Sequence, residues 1–186
     1  DLLQRIRDDN QAAFQQLYGL FFFRLYQFAY SYVQSKEIAE EVVNDVFLRL
    51  WQQRGTLHTI DNISVYLYVA VRNAACNALR KQKTGSLIPI EDLPPQHLQL
   101  SINPESQLIN RELKARVQEA IAQLPERCKL IFKLVKEDGL SYKEVAAILD
   151  ISVKTVDAQL YLALKKLAFT LYPVWQDYTA RHTTPL

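Results

Sequence analysis

At 186 residues, 49% of them hydrophobic, the chain is long enough for one ordinary domain or two small ones, and wholesale disorder is excluded. No apolar run reaches the roughly 18 positions that a membrane-crossing helix needs, and no charged n-region with a cleavage site opens the chain, so the expectation is a cytoplasmic protein with no direct membrane insertion. The net charge of +2 is small but uneven: Val71 to Lys83 carries Arg72, Arg80, Lys81 and Lys83 and no acid, whereas Lys36 to Arg54 mixes three cations with Glu37, Glu40, Glu41 and Asp45.

The first long element is aromatic. Phe14, Leu17, Tyr18, Phe21, Leu25, Phe28, Ala29 and Tyr32 recur at helical spacing, which predicts a helix packed on its neighbours. In the next, "EIAEEVVNDVFLRLWQQR", one side is apolar: Ala39, Val42, Val43, Val46, Phe47 and Leu50. At 100° per residue, Glu41, Asn44, Asp45, Leu48 and Gln52 form a stripe on the other side. A leucine among acids and amides is either one ordinary exposed leucine or the centre of a protein-binding face. Gly55 closes this helix.

A third helix, "NISVYLYVAVRNAACNALRKQK", has Asn62 placed to cap it and turns Leu67, Ala70, Val71, Ala74 and Ala78 inward. Its solvent side is expected to hold Arg72, Asn73, Asn77, Arg80 and Lys81, with Lys83 beyond: cations that hold phosphates and amides that read base edges. The rings of Tyr66 and Tyr68 add stacking surface for unpaired bases. A basic run is just as often a solvated face, so this element is suggestive alone.

Between Thr84 and Ser106 lie Pro89, Pro94, Pro95 and Pro104, and no regular period survives them. Residues 84–106 are therefore expected to be a linker between two small helical domains, 1–83 and 107–170. At about 20 residues it exceeds most loops inside compact domains.

The second domain opens with an amphipathic helix through Leu113, Val117, Ala120, Ile121 and Leu124, and a second helix follows over Arg127 to Val135. Then "LSYKEVAAILDISVKTVDAQLYLALKKL" reads as two helices around a sharp turn. Ser141 and Glu144 form a capping-box start, and Ser152 caps the second helix. Val153, Val156, Leu160, Leu164 and Leu167 are expected inward, leaving Ser152, Lys154, Thr155, Ala158, Tyr161 and Lys165 to enter a major groove. Leu162 fits that outward arc worst, and Asp157 on its flank suits either a cytosine amino group or a nearby lysine. Pro173 is expected to end the helix, leaving 171–186 as a tail.

Cys76 and Cys128 sit inside helical patterns and read as buried thiols, without zinc spacing. With no P-loop, no nucleophile and base pair, and three scattered histidines, the chain is not expected to be an enzyme or to bind a cofactor or metal.

In series, "AFQQLYGLFFFRLYQFAYSYV", "AEEVVNDVFLRLWQQR", "VYLYVAVRNAACNALRK", a proline-bearing linker, "LPERCKLIFKLV" and the helix-turn-helix resemble an extracytoplasmic-function (ECF) sigma factor of bacterial RNA polymerase. The resemblance implies that Glu41, Asn44, Asp45 and Leu48, with Trp51 at the edge, grip the clamp helices of core polymerase. It implies that the helix of Arg72 and Asn73 reads promoter DNA at −10, that the loop from Gly55 to Asn62 pockets a flipped base, and that the second domain reads the −35 element. Asn77 departs from the family, many members of which carry an acid there. An anti-sigma partner is implied by class alone. The rival reading is a one-component helix-turn-helix regulator whose N-terminal bundle senses or dimerises; it leaves the Leu48 stripe and the Asn73 helix unexplained.

Overall fold

In the computed structural model, which describes residues 2–82 and 111–182, every regular element is a helix. The first domain comprises α1 (Leu2–Arg7), α2 (Gln11–Val33), α3 (Lys36–Gln52), a 3-10 turn over Arg54–Thr59, and α4 (Ile63–Gln82). The second comprises α5 (Arg111–Ala122), α6 (Glu126–Lys136), α7 (Tyr142–Leu149) and α8 (Val153–His182). The expected linker lies outside the described residues.

Local chemistry sets the helix ends. Asn10 caps α2 by accepting from the Ala13 N–H at 2.9 Å, and Ser35 caps α3 by accepting from Ile38 at 3.3 Å. Gln34 ends α2 in the left-handed region, with φ 55°. The Asn62 Oδ1 accepts from Val65 at 3.1 Å and starts α4. In the second domain, Ser141 and Glu144 form the expected reciprocal capping box on α7. Asp150 takes φ 57° after α7, and the Ile151 N–H returns to the Ala146 carbonyl at 3.0 Å; this tight αL closure makes the helix-turn-helix corner.

The six apolar residues expected inward on α3 are all buried, sandwiched with α2 and α4. On α8 the phase differs from expectation. Val156, Leu160, Ala163 and Leu167 are buried, while Val153 and Leu164 are 44% and 43% exposed. The buried set keeps the i, i+4, i+7, i+11 spacing of one narrow seam, and Val153 and Leu164 fall on its margin. Pro173 does not end α8, which runs through it to His182. A proline costs a helix the N–H bond to the carbonyl four residues back, here that of Phe169. Phe169 is 84% exposed, so water is at hand to replace the lost donor.

The two domains pack on each other. A single apolar cluster runs from Phe28, Leu67 and Val71 of the first domain into Ile131, Leu134, Val145 and Ile148 of the second. Among the described residues, Ala120, Ile121, Leu124, Cys128, Ala163 and Leu167 form a second buried cluster between α5, α6 and α8. Both cysteines are free and buried, as expected.

Candidate functional site

Because its opposite side is committed to the core, α3 presents Glu41, Asn44, Asp45 and Leu48 together, all exposed, with Leu48 at 55%. Trp51, at the edge of this face, is half-buried. Its ring packs on Phe14 at 4.9 Å between centroids, and the Arg54 guanidinium lies 4.7 Å over it. Arg54 also donates to the Trp51 carbonyl at 3.0 Å and pairs with Asp9 in the α1–α2 turn. The Tyr18 hydroxyl donates to the Asn44 Oδ1 at 2.9 Å. Sequence reasoning missed Tyr18 and Arg54 in this setting: Tyr18 read only as core, and Arg54 lies past the end of the periodic stretch.

Along α4, Tyr66, Asn73, Asn77 and Lys81 are exposed and Arg80 is half-buried, while Lys83 lies outside the described residues. Arg80 donates to the Asn77 Oδ1 at 3.3 Å, and its Nε is buried without a partner. A groove of about 510 Å³ between α3 and α4 joins the two faces, bringing Glu41 and Asp45 opposite Asn77, Arg80 and Lys81. Tyr68 differs from expectation. It is 1% exposed, and its hydroxyl donates to the Asp138 carboxylate at 2.7 Å. Its ring is core, packed edge-on against Phe28 at 5.0 Å, and is not a free stacking platform.

Arg72 is half-buried under the second domain. One guanidinium nitrogen donates to the Ile148 carbonyl at 2.8 Å, and the Nε is buried without a partner. The accepting carbonyl belongs to the last turn of α7, where helix carbonyls lack internal partners and carry the negative end of the helix dipole. At the other end of α7, the Asn62 amide donates to the Glu144 carboxylate at 2.6 Å. Helix α7 is thus pinned to α4 at both ends.

Beside it, Asp138 faces Tyr68, Arg24 at 3.9 Å, and Lys133, which itself bonds Gln27 of α2. Burial raises the Asp138 carboxyl above the ordinary range, outweighing the Tyr68 hydrogen bond and the two cations, which pull it down. Burial likewise lowers the Lys133 ammonium, against the opposing pull of Glu137 and Asp138.

On α8, Ser152, Lys154, Ala158, Tyr161 and Lys165 are exposed on one arc, and Thr155 is half-buried. Ser152 accepts from the Thr155 N–H at 3.0 Å and shares a 2.8 Å hydroxyl contact with its side chain, so both hydroxyls serve the cap as well as the arc. Leu162 is outward as expected, 52% exposed. Among the described residues no cluster suits a metal ion, and no helix is long and apolar enough to cross a membrane.

Comparison with known proteins matches two family models in order along the chain: sigma-70 region 2 over residues 18–84 and sigma-70 region 4 over residues 114–167. The ECF RNA polymerase sigma-E factor of Escherichia coli K12 is 27% identical over 182 residues, covering 93% of this chain and 94% of that protein. The ECF RNA polymerase sigma factor SigW of Bacillus subtilis is 23% identical over 166 residues, covering 86% and 89%. Among solved structures, RpoE of Bartonella quintana, in complex with the anti-sigma factor NepR, is similar with a TM-score of 0.56 at 21% identity over 86% of this chain and 96% of that one. CnrH, in complex with the cytosolic domain of CnrY, gives 0.53 at 23% identity over 92% and 96%. The fold and the paired regions define a sigma-70 protein. More narrowly, the chain belongs to the ECF sigma factors of RNA polymerase.

Proposed function

We propose that this chain binds core RNA polymerase, directs it to promoters by reading −10 and −35 elements, and assists melting. The observation that carries this reading is the presence, in one chain, of an exposed acid, amide and leucine face on α3 and a capped helix-turn-helix with an open outward arc. Residues 1–83 form the polymerase and −10 domain, 84–106 the linker, 107–170 the −35 domain, and 171–186 the tail.

Glu41, Asn44, Asp45, Leu48 and Trp51 contact polymerase. Tyr66, Arg72, Asn73, Asn77, Arg80, Lys81 and Lys83 serve the −10 element, and Ser152, Lys154, Thr155, Ala158, Tyr161 and Lys165 the −35 element. Cations hold phosphates and supply salt-dependent affinity; amides read bases. Unpairing a base costs a few kcal/mol, which capture of the extruded base offsets. No bond is made or broken by this chain. It acts in the cytoplasm, and an anti-sigma protein restrains it, as NepR accompanies RpoE in the similar structure.

Run-off transcription with purified core polymerase and a cognate promoter tests the reading. Transcripts that depend on the chain are expected. Binding to duplex DNA alone, with no transcript from a verified core and promoter, would instead establish the one-component regulator.

A further inference from the structure

Two side chains outside α3 govern how its exposed face is presented. Asn44 and Trp51 stand seven residues apart on α3, so they share nearly one azimuth, two turns apart, with Leu48 between them. Each is held from another element. The Tyr18 hydroxyl of α2 donates to the Asn44 Oδ1 at 2.9 Å. The Arg54 guanidinium, from the 3-10 turn, lies 4.7 Å over the Trp51 ring, donates to the Trp51 carbonyl at 3.0 Å and pairs with Asp9. Asp9 takes φ 62° in the α1–α2 turn, a left-handed conformation in which few residues other than glycine, asparagine and aspartate are found, and its bond to Arg54 ties that turn to the end of α3. Phe14, one turn before Tyr18 on α2, also packs on the Trp51 ring, at 4.9 Å. Behind this rim, Phe14 and Tyr18 both rest on the buried ring of Phe47, at 6.1 and 4.8 Å between centroids. The α2 residues that pack the core side of α3 thus also brace its outer edge.

We infer that Tyr18 and Arg54 are positioning residues for core-polymerase binding: Tyr18 acts through Asn44 and Arg54 through Trp51, and the polymerase surface opposite Asn44 offers a hydrogen-bond acceptor. The inference deepens the functional reading above and rests on it for the identity of the partner. A side chain free to rotate loses rotamer freedom on docking, and one already held loses less, so positioning appears as affinity. The acceptor follows from the chemistry of the amide. With Oδ1 receiving the phenol proton, the group Asn44 leaves for a partner is its amide nitrogen, which only donates. Burial, then the charge of Glu40, raises the Tyr18 hydroxyl above its ordinary value, so it stays a donor at neutral pH.

Two double-mutant cycles test this, read by titration of labelled core polymerase at fixed salt with thermal melting in parallel. Tyr18→Phe removes one oxygen and keeps the ring on Phe22 and Phe47. Arg54→Lys keeps the charge opposite Asp9 and loses the planar contact with Trp51. Each is expected to weaken core binding about fivefold, roughly the cost of freeing one side chain. Tyr18→Phe on an Asn44→Ala background, and Arg54→Lys on a Trp51→Ala background, are expected to lose less than about twofold further, because the side chain being positioned is gone.

A merely structural residue would lower affinity by the same factor with or without its partner; that outcome overturns the inference, as does core affinity unchanged by both single substitutions. Asn44→Asp keeps an acceptor for Tyr18 but replaces the amide N–H groups by an oxygen, and is expected to bind core at least about fivefold more weakly than the natural chain. Any smaller loss overturns the acceptor opposite Asn44. If Arg54→Lys melts below the assay temperature, the Tyr18 cycle decides alone. Failure of the sigma reading shows separately, as an unmodified chain that neither binds verified core polymerase nor yields run-off transcripts with it.

Discussion

Leu48 is held outward by its position: its neighbours on α3 at 47 and 50 fill the core, and the helical period leaves it 55% exposed among Glu41, Asn44 and Asp45. Burying a leucine against a partner contributes about 1.5–3 kcal/mol, so Leu48→Asp is expected to weaken binding to core polymerase roughly 10- to 100-fold or more. An exposed substitution costs the fold little, within about 0.5 kcal/mol. Titration of labelled core with circular dichroism in parallel checks this; native dichroism with unchanged affinity would move the interface elsewhere. On α4, exposed Asn73 should separate two activities: Asn73→Ala is expected to reduce open-complex formation in permanganate footprinting while leaving core affinity within about twofold. A parallel fall in both would make its role structural. The α3 face was legible because one periodic helix decides both its sides. The roles of Tyr68 and Arg72 were not: their partners Asp138 and Ile148 stand in the other domain, and no local spacing announces a contact across the linker.

Helix α7 has only eight residues, too few to be stable by propensity, so its ends matter more than its interior. Ser141 supplies half of a capping box, and Ser141→Ala is expected to cost about 1 kcal/mol, or about 2–4 °C in melting temperature for a chain of this size. Glu144 supplies the other half. Its carboxyl is held below the ordinary range first by the Ser141 backbone N–H, then by the Ser141 side chain, with a smaller pull from Asn62. A lowered carboxyl contributes stability that is present above the unfolded value and lost as pH falls through the folded one. The melting-temperature gap between the natural chain and Glu144→Gln should therefore be open at neutral pH and close as pH is lowered through the carboxylate range. A gap that persisted in acid would place the effect in shape and not in charge. The Ser and Glu spacing made this start readable. The end of α8 was not legible because a proline can be carried inside a helix where the turn before it is open: the exposed turn at Phe169 leaves water to replace the lost donor.

At the scale of the whole chain, two domains joined by a proline-bearing segment share one apolar cluster, yet the polar latch within their interface is electrostatically imperfect. Asp138 faces Tyr68 from α4, Arg24 from α2 and Lys133 from α6, with Glu137 adjoining, and burial still raises its carboxyl. The sign follows directly. A group whose folded value is raised contributes its full share to closure below the unfolded value and loses it as pH rises through the raised one, because the ionised form must be buried. Burial also lowers the ammonium of its neighbour Lys133, and a lowered ammonium runs the other way: packing that buries it is favoured as pH rises through the lowered lysine value. The Asp138 contribution to the packing of the two domains should therefore be full in acid and be lost as pH rises through its raised carboxyl value, with Lys133 opposing that trend at higher pH. In Asp138→Asn, which keeps an acceptor for the Tyr68 hydroxyl, the expansion tied to carboxylate ionisation should disappear. Radius of gyration measured across pH, on natural and variant chains at constant ionic strength, decides the matter. If both chains expand identically, the apolar cluster alone governs closure and Asp138 is a passenger in it.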